Sequence, residues 1–169
     1  MAENNTLIVY ASRHGETEKC AREIFNLIDG KVDICDLGNR VSFPDASTYD
    51  TIIIGSSIHL GKVLEPVSNF CSANLELLTQ KRIGLFITCP DTGEKAEKQL
   101  RQAFPAELLN GAVVSAYFDG TFDSFRLSIL ERMMIYRPGG GSGAQLSPSS
   151  WKKIKQFAKK MNPSHAEEE

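Results

Sequence analysis

The sequence predicts a three-layer α/β domain in which a doubly wound, five-stranded parallel sheet of order 2-1-3-4-5 lies between two layers of helices. Three observations predict it. Short apolar, β-rich runs recur along the chain, segments with apolar residues at helical spacing separate them, and small polar residues fill the loops after the first, third and fourth runs.

The runs are Thr6 to Ala11, Val32 to Cys35, Thr51 to Gly55, Arg82 to Cys89 and Ala112 to Phe118. Continuous apolar character, instead of strict alternation, marks strands buried on both faces. Cys20, Ile24, Leu27 and Ile28 share one helical face, as do Val67, Phe70, Cys71, Leu75 and Leu78, so each segment can cover a sheet face. Asp29-Gly30 closes the first helix, and Pro66 suits the opening turn of the next. The stretch from Asp36 to Asp50 holds Gly38, Pro44 and Asp45, so this crossover is expected to be mostly loop. Trp151, Ile154, Phe157, Ala158 and Met161 predict a last helix, with caps between Ser147 and Ser150.

A chain of 169 residues with 41% hydrophobic content can build one sizeable core. One domain over residues 1–162 is expected, followed by a disordered tail at 163–169, with the glycine-rich stretch 139–143 as a flexible loop. Nineteen Lys plus Arg against 21 Asp plus Glu leave a net charge of -2, which gives no bulk attraction to nucleic acid. Cys20, Cys35, Cys71 and Cys89 show no CxxC spacing and read as free thiols of a reducing, cytoplasmic setting. No apolar stretch approaches membrane-spanning length, and the first residues lack the pattern of an export signal.

Ser12-Arg13-His14-Gly15-Glu16-Thr17 lies directly between a buried strand and an amphipathic helix, where unpaired amides carry partial positive charge. Ser12 and Thr17 can add hydroxyl donors, and Gly15 lets the backbone approach closely, so the loop can hold a phosphate monoester without lysine or metal. A simple N-cap is the plainer reading of Ser and Thr at a helix start. Arg13-His14-Gly15-Glu16 also resembles the opening signature of the histidine phosphatase superfamily, which implies His14 as nucleophile. That chemistry needs a second histidine and a downstream arginine motif; His59 and His165 lack the context, and the motif is missing.

Two further loops fall on the same sheet edge: Ser56-Ser57-Ile58-His59-Leu60-Gly61 after the third strand, and Thr88-Cys89-Pro90-Asp91-Thr92-Gly93 after the fourth. In the expected strand order they flank the first loop at one crevice, with room for a phosphate at one end and a flat ring at the other. Receiver domains share the topology but need clustered carboxylates where this chain has Ser12, Arg13, Gly55 and Ser56.

With Thr6 to Thr17, Tyr49-Asp50 running into Ile52 to Gly55, and the loop at Thr88, the chain resembles the flavodoxins over almost its whole length. In finer pattern, Gly55 to Ile58 with Gly61, the segment from Gly120 to Gly140, and Trp151 to Ala158 resemble the flavodoxin-like menaquinone-dependent protoporphyrinogen oxidases. The resemblance implies a flavodoxin-like fold and FMN, its phosphate on Ser12 to Thr17 and its isoalloxazine between the other two loops, Ser56 to Gly61 and Thr88 to Gly93. It implies electron transport or oxidoreductase activity with a redox partner protein, a quinone or a small-molecule substrate. Flavodoxins commonly place Thr where this chain has His14 and stack Trp and Tyr on the flavin, whereas neither ring loop here contains Trp, Tyr or Phe. Without such stacking, a less extreme reduction potential is expected.

From Phe122 to Tyr136 the apolar residues form two rows, one through Phe125, Ile129, Met133 and Tyr136, another through Leu127, Leu130 and Met134. One row is expected to face the core. The other, near Arg126, Arg132 and Arg137, suits peripheral membrane contact, while a homodimer interface or full burial is the plainer reading. No general acid or base is identifiable, and Cys89 near the ring reads first as a buried thiol.

Overall fold

A computed structural model describes residues 4–40, 42–119 and 146–163. The chain runs β1 (Asn5–Ala11), α1 (Glu16–Leu27), β2 (Lys31–Asp36), β3 (Thr51–His59), β4 (Lys62–Val63), α2 (Glu65–Ala73), α3 (Leu75–Leu78), β5 (Arg82–Thr88), α4 (Gly93–Ala103), α5 (Ala106–Gly111), β6 (Val114–Phe118) and α6 (Pro148–Met161). The sheet order is β2-β1-β3-β5-β6, all parallel, with the short β4 pairing antiparallel to β3. Counting only the parallel strands, this is the doubly wound order 2-1-3-4-5 read from the sequence.

Side chains alternate between the two sheet faces and build a core on each. Leu7, Val9, Ile52, Ile54, Leu85 and Ile87 pack with Val67, Phe70, Leu78 and Leu108 under the α2–α5 layer. Ile8, Tyr10, Ile53 and Phe86 pack with Cys20, Ile24, Ile154, Phe157 and Met161 under α1 and α6. Gly55 makes this second face possible, because a Cβ there would lie 2.0 Å from Cζ of Phe86. Fully burying one such large apolar side chain stabilises by about 1.5–3 kcal/mol. The exposed Arg22–Glu18 ion pair on α1 contributes a few tenths by comparison, about 0.3–0.5 kcal/mol. Packing of the Thr17, Cys20, Ala21 and Ile24 stripe therefore orients α1, and surface charge does not.

The crossover from Asp36 to Asp50 is mostly irregular, as expected, with two single 3-10 turns at Leu37–Asn39 and Ala46–Thr48. Each opens on an aspartate cap: Asp36 accepts from the Gly38 amide at 2.9 Å and Asp45 from the Ser47 amide at 3.0 Å. The face running from Val67 to Leu78 is not one helix. Asn74 ends α2, its side-chain amide donating to the Phe70 carbonyl at 2.9 Å, and α3 restarts at Leu75. The last helix follows expectation, with the Ser147 hydroxyl accepting from the Ser150 amide at 3.1 Å.

The segment 122–136 expected to be a helix, the glycine-rich stretch 139–143 and tail residues 164–169 lie outside the described residues. Among the described residues, no helix is long and apolar enough to cross a membrane. All four cysteines are buried free thiols. Burial pushes the Cys20 and Cys71 thiols up to about 12.

Candidate functional site

The chain goes outward from β1 to β2 on one side and then returns past β1 to β3 on the other, so the carboxyl ends of β1 and β3 bound a crevice that β5 extends. Register brings the three ends level: Ala11 pairs with Ser56, and Ser57 with Thr88. Each of the three sequence-predicted loops therefore starts from this edge.

The first loop enters α1 through Gly15, which caps the helix at φ 89° and has no side chain of its own to offer the first turn. That backbone conformation favours glycine, and a capping side chain is absent where an anion can take its place. The loop is held by hydroxyls. Ser12 Oγ accepts from the Gly15 amide at 2.9 Å, and Ser57 Oγ accepts from the Arg13 amide at 3.1 Å. Each of these hydroxyls keeps its own proton to donate elsewhere. Arg13 and His14 are exposed, while Ser12, Gly15 and Glu16 are half-buried.

Thr17 closes the first loop as the second residue of α1. It is fully buried, and its Oγ1 lies 2.6 Å from Oγ1 of Thr88. The cause is helical spacing: Thr17 stands on the same stripe as Cys20, Ala21 and Ile24, which faces the sheet.

The second segment is not a loop from Ser56 onward. β3 continues to His59 and turns back through Leu60-Gly61 into β4, with Ile58 opposite Val63 and His59 opposite Lys62. Leu60 (φ 51°) and Gly61 (φ 76°) both occupy left-handed backbone, as a two-residue type I′ hairpin requires. Leu60 is 87% exposed at the tip, a bulky side chain held in a strained conformation over open solvent. Ser56 is buried and committed internally, donating to the Ser57 carbonyl and accepting from the Leu64 amide, both at 2.9 Å. Ser57 and Ile58 are half-buried, and His59 and Gly61 exposed.

The third loop leaves β5 at Thr88. Cys89 is 2% exposed, its thiol donating to the Asp91 carbonyl at 3.5 Å, and burial pushes that thiol up. Asp91 is held by Lys95 and Gln99, each at 2.8 Å, and these hydrogen bonds keep its carboxyl below the usual range. Pro90, Thr92 and Gly93 are exposed, and the Gly93 amide donates to the Tyr117 hydroxyl at 3.2 Å.

Beside this loop, Asp119 at the end of β6 accepts from Ser150 at 2.5 Å and Ser149 at 3.0 Å. Burial raises its carboxyl, but the hydrogen bonds, that of Ser150 foremost, outweigh this and hold it below the usual range. Tyr117, Asp119 and Gln99 were not singled out from the sequence. An aspartate directly after the fifth apolar run was the one available signal, because that position shares the edge of the other loops.

The donors gathered around the first loop are hydroxyls and amides, with the exposed Arg13 guanidinium nearby. Among the described residues no three His, Cys, Asp or Glu side chains group to hold a metal ion. This donor set suits a phosphate monoester, and the open side of the crevice has no aromatic lid from either ring loop.

Strand order, switch point and a glycine-capped helix entry define the class: a doubly wound, flavodoxin-like α/β protein with its ligand crevice at the carboxyl ends of the strands. The chain belongs to the flavodoxin domain family, which residues 7–139 match. FMN is the cofactor of that family, bound at this switch point. That membership lends no support to the histidine phosphatase resemblance of Arg13 to Glu16.

Solved structures agree on the fold. Flavodoxin 1 from Bacillus cereus superposes with TM-score 0.57 at 18% identity, covering 94% of this chain and 97% of its own. Two-electron reduced Megasphaera elsdenii flavodoxin gives 0.58 at 18% identity, covering 91% and 98%. Rubredoxin oxygen:oxidoreductase from Desulfovibrio gigas gives 0.53 at 17% identity, covering 94% of this chain but 35% of its own, so the chain spans about a third of that protein. No curated protein sequence matches the chain at a significant level.

Proposed function

We propose that the protein binds FMN non-covalently and passes electrons through it. The phosphate is read onto the loop from Ser12 to Glu16, and the isoalloxazine between the β3–β4 hairpin tip and the loop from Cys89 to Gly93. The observation that carries this reading is the entry to α1 through Gly15, a left-handed glycine N-cap held by Ser12 and Ser57 at the switch point between β1 and β3. When bound, the flavin supplies the redox chemistry. This chain's residues hold the phosphate, orient the ring and set how far water reaches it. Leu60 then lies on the rim of the ring site as an exposed apolar side chain, where the family commonly has an aromatic residue. Buried free thiols support a cytoplasmic setting, and residues 1–162 are read as the whole domain, with 163–169 as a tail.

Protein reconstituted with FMN, reduced with a chemical reductant under anaerobic conditions and mixed with oxidised cytochrome c or a soluble quinone, is expected to be reoxidised in step with acceptor reduction. Retained flavin that cannot be reduced, or that reaches neither acceptor, contradicts the reading.

A finer reading is an enzyme with a quinone acceptor, of the kind seen in the menaquinone-dependent protoporphyrinogen oxidases. The apolar, exposed Leu60 at a mouth without an aromatic lid favours it, since a flat apolar acceptor can then reach the ring edge. Turnover of protoporphyrinogen with a quinone tests it, and reduction of a protein acceptor alone contradicts it.

A further inference from the structure

The first loop is clamped at both ends by hydroxyls from two strands that pair with each other. Ser57 of β3 takes the Arg13 amide at 3.1 Å, and Thr88 of β5 meets the Thr17 hydroxyl at 2.6 Å. Ser57 and Thr88 are register partners in the sheet, so the two clamps spring from adjacent points on one edge. Between them lie only His14, Gly15 and Glu16, the residues that turn the chain into α1.

We infer that Ser57 and Thr88 are positioning residues for the phosphate end of the site: they fix the loop from Arg13 to Thr17 in the geometry that receives the anion, and are not contacts of the ring. This rests on the FMN reading above and deepens it. Three considerations carry it. The Thr88 side chain is 2% exposed and its hydroxyl is engaged with that of Thr17 at 2.6 Å, so it acts on the loop through Thr17. A buried hydroxyl pair has no competing water, and removing one member strands the other, so the link resists loosening. Gly15 supplies no side-chain cap, so the loop depends on contacts with its neighbours to hold its amides in place. A loop that is already ordered loses less freedom when the anion arrives, which is how a residue out of contact raises affinity.

The test compares FMN with riboflavin, which has the same ring and no phosphate, by fluorescence-quenching titration of apoprotein. Thr88→Val keeps the shape and removes the hydroxyl, Thr88→Ser restores it, and Ser57→Ala removes the other clamp. FMN affinity is expected to fall about ten-fold in Thr88→Val and in Ser57→Ala, with riboflavin affinity unchanged and Thr88→Ser close to wild type. Equal losses for both flavins, or no loss for either in both single variants, overturn the inference while leaving the FMN reading intact. Wild-type protein that binds neither flavin overturns the FMN reading, and this inference with it. Ser57→Ala, on the half-buried β3 side, decides the matter if Thr88→Val does not fold.

Discussion

The Tyr117 hydroxyl accepts a hydrogen bond from the Gly93 amide at 3.2 Å, so the strand at the edge of the described sheet braces the loop that leaves its neighbour. The Tyr117 ring is itself held, with Lys153 Nζ 3.6 Å from its centroid. Removing the hydroxyl frees the start of α4, where Gly93 stands next to Thr92 and the exposed Pro90. Tyr117→Phe is expected to weaken FMN and riboflavin equally, by about five-fold, because a neutral hydrogen bond of about 1 kcal/mol is lost at the ring end of the site. Quenching titrations check it, and a loss confined to FMN contradicts the assignment of this loop to the ring.

Leu60 is the sole non-glycine residue with positive φ among the described residues. Asparagine tolerates that conformation, and Leu60 makes little packing contact to lose at 87% exposure. Leu60→Asn is therefore expected to stabilise the protein by about 1 kcal/mol, raising Tm by about 2–4 °C. If Leu60 faces the reaction, the same variant slows reoxidation by quinone although it is the more stable protein. A lowered Tm shows that the hairpin carries no strain.

Alkaline stability follows from three buried acids. Tyr10 is raised to about 12 by burial first and by Glu18 and Asp36 after it, and burial raises Cys20 and Cys71 to about 12. Folded values above the unfolded ones mean that the unfolded chain releases these protons first. The contribution of these three groups is thus constant below about pH 8 and falls as pH rises towards 12. Urea unfolding from pH 7 to 11 is expected to show this fall, and Cys20→Ala to flatten it while lowering the neutral midpoint. An unchanged midpoint up to pH 11 contradicts burial of these groups.

The sheet was legible because strands buried on both faces, such as Ile52 to Ile54, cannot hide their apolar runs, and the first loop because Gly15 sits at a strand-to-helix junction. The rest depended on pairings that no local pattern carries. A Thr two residues into a helix reads as a cap, and only the register of α1 on β5 turns Thr17 to Thr88. Leu60-Gly61 lacks the Asn-Gly or Asp-Gly signature of a type I′ turn, so the hairpin read as a loop. Gly93 and Tyr117 are separated by a helical layer in sequence and meet only when β6 joins the sheet edge.

The most direct measurement is an absorbance spectrum of the purified protein, recorded before and after incubation with FMN and again after gel filtration. Flavin bands that travel with the protein in equal molar amount, and that are retained more tightly with FMN than with riboflavin, are the expected result. Protein that emerges colourless after incubation with excess FMN contradicts the account at its centre.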